Sequence, residues 1–170
     1  MTIKVKSGFC EKLFLNASGQ LVAVLRSQKL FGPEKAIVGP DKTIEYETDI
    51  ESLPDKPAGK NRRYLLKQGG VVMATAQPVY SADADHFAIT RLPRPIGLSI
   101  LMQNGTQWRV ARGEKNDVEL YAPEGLGKLS EFFSIRPQVF EIPDGSDIFL
   151  WAGVYTLVGY MMHEDDRYPV

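Results

Sequence analysis

"DIFLWAGVYTLVGYMMHEDD", Asp147 to Asp166, carries no charge between Ile148 and Met162, and its reading decides the fold. Three readings compete: a membrane anchor, a buried helix and a strand. A span needs about 20 apolar residues, with a lower limit of about 17. The uncharged run is shorter, contains Gly153 and Gly159, and is followed at once by His163-Glu164-Asp165-Asp166 rather than by a basic flank. No transmembrane segment is therefore expected. Asp144, Ser146 and Asp147 are candidate N-caps, and their negative charge suits the positive end of a helix. At about 100° per residue, Ala152, Gly153, Thr156 and Gly159 gather on one side, while Leu150, Trp151, Val154, Leu157, Val158 and Met161 gather on the other. Neither side is polar. A helix apolar all round is enclosed by protein or by lipid, so the sequence predicts a helix over about 147–162 enclosed by the rest of the chain, its small-residue side admitting a strand wall closely. The strand alternative rests on the aromatic and β-branched content of the run, with Gly159 as a bulge.

Working outward, the chain before this run is hairpins. Thr2 to Gly8 alternates apolar with polar and lacks the apolar stretch of a secretory signal. "QLVAVLRS" follows an Asn-Ala-Ser-Gly turn; Gly39-Pro40-Asp41-Lys42 reverses "AIV" into "TIEYE"; Gly69-Gly70 joins "RYLLKQ" to "VVMATAQPV". Asn104-Gly105 between two extended runs is the strongest hairpin signal, with Trp108 and Val110 sharing one face. "HFAITRL" (86–92), "VELYA", 126–133 and 139–142 read as further strands, 126–133 with a helical alternative. Residues 56–61 are the most loop-like segment, a divider between two halves of one sheet system. Strands recurring roughly every ten residues point to a sandwich or barrel rather than βαβ units.

Composition bounds the partners. At 170 residues, 44% hydrophobic and 24% charged, the chain suits one globular domain. Twenty basic against twenty-one acidic residues leave a net charge of −1, no field for nucleic acid, so no nucleic-acid partner is expected. One cysteine, Cys10, excludes an internal disulfide framework and suits a reducing compartment, so a cytoplasmic location, with peripheral membrane association open, is expected.

Hairpins followed by one wholly hydrophobic helix resemble the tubby C-terminal-like superfamily, which includes the LURP-one-related proteins. The similar features are Tyr64–Val79, Trp108–Leu129 and the 147–162 helix with its "MMHEDDRY" exit. The resemblance implies a closed antiparallel β-barrel of short hairpins, about twelve strands, around a central hydrophobic helix, with 1–170 as a single small stand-alone domain of the kind found in bacteria. It also implies a non-enzymatic binding or scaffold module, since eukaryotic tubby domains bind phosphoinositide headgroups through basic surface side chains. No residue of the family's headgroup site is carried over.

Lys60, Arg62 and Arg63 form one basic cluster, and Arg91 and Arg94 a second. Brought together, they form a candidate patch for an anionic ligand or phospholipid headgroup, because guanidinium forks match phosphate oxygens. A protein partner is the other candidate, and solvated loop ends are the plain reading. No catalytic residue is expected: with His86 and His163 the only histidines, nucleophile–base pairs have few routes, and Cys10 has no supporting signal. No metal or cofactor is expected, because His163 to Asp166 matches neither calcium-loop nor zinc spacing and reads as an ion-pairing helix exit. "GLGKLS" (125–130) fails phosphate-loop spacing and reads as a strand-entry turn. Trp108 and Trp151 read as core, with a cavity lining as alternative. A calycin-like small-molecule barrel is the second fold-level reading, and the position of the helix, inside or outside, separates the two.

Overall fold

In a computed structural model, residues 1–8, 11–28, 33–56, 60–82, 93–113, 117–130 and 137–162 are described. The strands are β1 (Thr2–Ser7), β2 (Glu11–Leu15), β3 (Leu21–Ser27), β4 (Lys35–Val38), β5 (Ile44–Ser52) and β6 (Arg62–Gln68). They continue with β7 (Val71–Val79), β8 (Gly97–Met102), β9 (Gln107–Arg112), β10 (Val118–Ala122), β11 (Gly125–Ser130) and β12 (Gln138–Glu141). Each pairs antiparallel with its sequence neighbour, and β1 pairs with β12 to close a twelve-stranded barrel. Closure leaves no edge strand among the described residues to template aggregation. The expected divider at 56–61 separates nothing, since β5 and β6 pair directly. The 86–92 strand and the partners of Cys10, His86, Arg91 and 163–166 lie outside the described residues.

The antiparallel order sorts the connections onto two rims. At the turn rim, three hairpins share one device. Gly19, Lys42 and Gly105 have φ of 82°, 71° and 84°, each closing a three-residue loop. In each the residue after the loop accepts from the residue before it, at 3.0, 2.9 and 2.9 Å (Asn16 to Gln20, Gly39 to Thr43, Met102 to Thr106). This is the turn-plus-bulge hairpin, which needs a left-handed residue in third place. Asn16, Asp41 and Asn104 accept backbone N–H bonds two residues on, which explains the Asn and Asp there. At the far rim lie the longer connections, including 80–96 between β7 and β8.

Helix α1 (Ile148–Met162) fills the lumen. Asp147 caps it by accepting the Phe149 and Leu150 N–H groups at 2.9 and 3.2 Å. Asp144, another candidate cap, instead lies 2.6 Å from the Met1 ammonium. From Trp151 on, every helix residue but Gly159 is buried. The enclosure follows from sequence: with no polar side, only a wall on every side satisfies it.

The wall is shaped for the helix. A Cβ at Gly127 of β11 would lie 2.3 Å from Trp151 Cζ3, so the missing side chain is the space the indole occupies. Trp151 then packs at a tilt against Trp108 with centroids 4.9 Å apart, as packed core rather than cavity lining. "GLGKLS" is thus strand β11, its central glycine serving packing. On the helix side, a Cβ at Gly153 would lie 2.6 Å from Leu66 Cδ1. The predicted close approach occurs at Gly153, whereas Gly159 is only half-buried. Toward the far rim the helix turns polar contacts outward to the wall. Tyr155 donates to Gln138 Oε1 at 2.5 Å, Tyr160 lies 2.7 Å from Thr48 Oγ1, and Tyr160 also donates to the Pro33 carbonyl.

Candidate functional site: a cationic rim

Side chains on a strand alternate between faces. Counting from buried Tyr64 and Leu66 places Arg62 on the lumen face of β6, and Arg63 on the outer face. The two adjacent arginines therefore part. Arg63 forms an ion pair with Glu51 of β5. Arg62 lines a cleft of about 280 Å³ at the far rim with Leu53, Lys56, Lys60, Gln77 and Tyr80. The Lys60 ammonium sits 5.4 Å from the Tyr80 ring centroid, a cation–π contact that holds it over the cleft. Three lining side chains are cationic, and among the described residues that line the cleft none is acidic.

Of the predicted patch, the structure gathers Lys60 and Arg62, and turns Arg63 away to its carboxylate partner. Arg94 is half-buried two residues before Ile96, whose N–H donates to the Val79 carbonyl at 2.8 Å, so it lies on the same rim across β7 from Arg62. Arg91 lies outside the described residues. Sequence reasoning missed Lys56, Gln77 and Tyr80, which come from the opposite sides of two hairpins. Period-two counting from Tyr64 was the available signal for Arg62. Beside the cleft, Val79 and Ile96 are 40% and 48% exposed and joined by that same backbone bond.

Two further cations face inward on the same rim. Lys12 pairs in register with lumen-facing Leu25, and Lys35 with Ser27. Both point inward at the barrel mouth. Lys12 Nζ donates to Tyr155 Oη at 2.7 Å and Lys35 Nζ to Ser27 Oγ at 2.8 Å. Burial pulls the Lys12 ammonium below its ordinary value and pushes the Tyr155 phenol above its own. Among the described residues no group of three histidine, cysteine or acidic side chains converges as a metal site. No helix among them is long and apolar enough to cross a membrane.

These features define a class: a closed twelve-stranded antiparallel barrel threaded by its own helix, with inward-facing cations at one rim. No family model matches the chain, and no curated protein matches it. The fold is nonetheless similar to that in the X-ray structure of a protein from Arabidopsis thaliana. The match has a TM-score of 0.61 and 10% identity, over 93% of this chain and 88% of that one. At that identity the likeness is one of fold alone.

Proposed function

We propose that this chain is a tubby-like, LURP-one-related barrel acting as a non-enzymatic module that binds anionic phospholipid headgroups at its far rim. One observation supports it above the others: a cleft bearing Lys56, Lys60 and Arg62, with no acidic residue among the described residues that line it, sits beside the exposed apolar pair Val79 and Ile96. Cations at headgroup depth next to apolar side chains suit a membrane interface, where charge draws the protein in and apolar burial retains it. The helix that occupies the lumen weighs against the calycin-like alternative, because ligand pockets of such barrels lie inside.

The test is co-sedimentation with phosphatidylcholine vesicles, with and without an added anionic lipid. Binding to the anionic vesicles only, weakening as salt rises, is expected. The Lys60→Ala/Arg62→Ala double variant should lose most of it. Val79→Ser/Ile96→Ser should weaken vesicle binding while leaving binding of a soluble headgroup unchanged. Equal behaviour of the wild-type protein towards zwitterionic and anionic vesicles would overturn the lipid reading, and retention of a basic or acidic protein instead would redirect it to a protein partner.

A further inference from the structure

The outer wall of the barrel is uneven in chemistry. On β1 to β5, Val5, Phe14, Leu25, Ile37 and Tyr46 belong to the core inside, so the alternate positions face out. The register joins those outer positions in a row: Lys6 to Leu13, Leu13 to Val24, Val24 to Val38 and Val38 to Ile44. Nearer the turn rim a second row joins Lys4 to Leu15 and Leu15 to Leu21. Register shifts beside Leu15 and Val38 bring Leu21 and Ile44 onto this face. Leu21 and Ile44 are 36% and 48% exposed, and Val38 is buried between Val24 and Ile44. Scattered exposed apolar residues are ordinary, but a contiguous patch of them across adjacent strands marks an interaction surface. The next strand differs, since β6 presents Arg63 and Lys67 outward, each paired with a carboxylate of β5.

Opposite charges flank the patch. On the β1 side stand Lys4 and Lys6, both exposed. On the β5 side stands Glu47, the register partner of Ala36, which accepts from the neutral amide of Gln28 at 2.6 Å and keeps its charge. Toward the far rim the face ends at Glu11 and Arg26, which pair in register and offset each other.

We propose that this face pairs with the same face of a second copy of the chain, about a two-fold axis running along β3. Rotation about that axis exchanges the flanks: β1 of each copy lies over β5 of the other, so Lys6 meets Glu47 on both sides while the apolar side chains close on themselves. An isologous contact requires a self-complementary surface, and an apolar centre with lysine on one flank and glutamate on the other is one. A uniformly basic or acidic partner would meet a like charge on one flank. The wall of a closed barrel curves away from β3 on both sides, so the flanks are bridged by long side chains, which lysine and glutamate supply. Contact between two convex walls is small, and the pairing is therefore weak and concentration-dependent. Both far rims then lie toward the same end of the pair, and two headgroup clefts meet one surface; that consequence, unlike the pairing itself, rests on headgroup binding.

The test is sedimentation velocity of the full chain over a concentration series. The wild-type mass should rise from one chain to two and no further. Leu21→Ser/Ile44→Ser changes two exposed side chains, so the melting temperature should stay as it is while the mass remains that of one chain. Lys6→Glu and Glu47→Lys should each weaken pairing by about tenfold or more, because like charges then meet, and Lys6→Glu/Glu47→Lys should restore it. A wild-type chain that stays single at the highest concentration, or a Leu21→Ser/Ile44→Ser variant that pairs as wild type does, would overturn this face as the contact. Single variants that weaken pairing with no rescue in the charge-swapped double would overturn the two-fold register. On anionic vesicles, Leu21→Ser/Ile44→Ser should bind several-fold more weakly than wild type with soluble-headgroup binding unchanged; equal vesicle binding would overturn the bivalent role alone. The mass in solution does not depend on lipid, so failure of the pairing is distinguishable from failure of headgroup binding.

Discussion

At the turn rim, strands reverse through two- and three-residue loops whose glycines and Asx side chains leave little freedom, and the acidic groups Asp41, Glu45, Glu124, Asp144 and Asp147 gather there. At the far rim most connections are longer, and inward positions hold Lys12, Lys35 and Arg62 instead of hydrocarbon. The same strands supply both rims, so the difference is not one of fold. Tight turn chemistry marks one end, and inward-facing cations the other. Helix α1 ties the two together, capped by Asp147 at the turn rim and hydrogen-bonded through Tyr155 and Tyr160 toward the far one.

The contrast fails most severely if the helix loses its seat. Gly127→Val puts a side chain where Trp151 stands and should cost about 3 kcal/mol or more in denaturant unfolding, with loss of the near-ultraviolet tryptophan signal. A cost near zero would mean that the indole is not held there.

Single anchors at each end come next. Asp147→Ala removes the cap and should cost about 1–2 kcal/mol. Tyr160→Phe, at the other anchor, removes the bonds to Thr48 and Pro33 and should cost about 1–3 kcal/mol. The Tyr46 hydroxyl lies 3.3 Å from Asp147, and burial, reinforced by that carboxylate, pushes its pKa up to about 12. The folded value lies above the unfolded value of about 10, so this contribution is fully present below pH 10 and is lost as pH rises toward 12. Tyr46→Phe should flatten the alkaline decline in melting temperature; an unchanged slope would remove Tyr46 from it.

Turn chemistry is a smaller lever. Gly105→Ala should cost about 1 kcal/mol, whereas Lys42→Gly, which frees a non-glycine residue from positive φ, should stabilise by about 0.5–1 kcal/mol. Opposite signs at two equivalent loop positions are the point to check by thermal unfolding. Smallest is Lys60→Ala, on exposed far-rim surface, expected to shift stability by less than about 0.5 kcal/mol while reducing anionic-vesicle binding. A large loss of stability there would erase the division of labour.

Much of this architecture was legible, for physical reasons that differ by region. Turn-rim hairpins announce themselves because few residues tolerate positive φ, and the helix because a charge-free run has to be enclosed. Strand β2 escaped notice: in "EKLFL" Lys12 occupies a lumen-facing position, so the alternation that marks a strand is broken where the site begins. The basic patch was half legible for the same reason. Runs such as Arg62-Arg63 look like one cluster in the chain, yet the pleat sends neighbours to opposite faces, and only Arg62 stays with Lys60. Gly153 and Gly159 could not be told apart by helical angle, because which of them meets a wall depends on Leu66, distant in sequence.

The seam between β1 and β12 carries a kinetic consequence. It joins Thr2–Val5 to Gln138–Glu141, far apart in sequence, and the lumen stays unfilled until helix α1, which follows β12, is in place. Such non-local pairing slows folding, and until it forms two strand edges stay open beside an unfilled apolar interior. Cells producing this barrel therefore face their greatest aggregation hazard in the interval before the seam shuts.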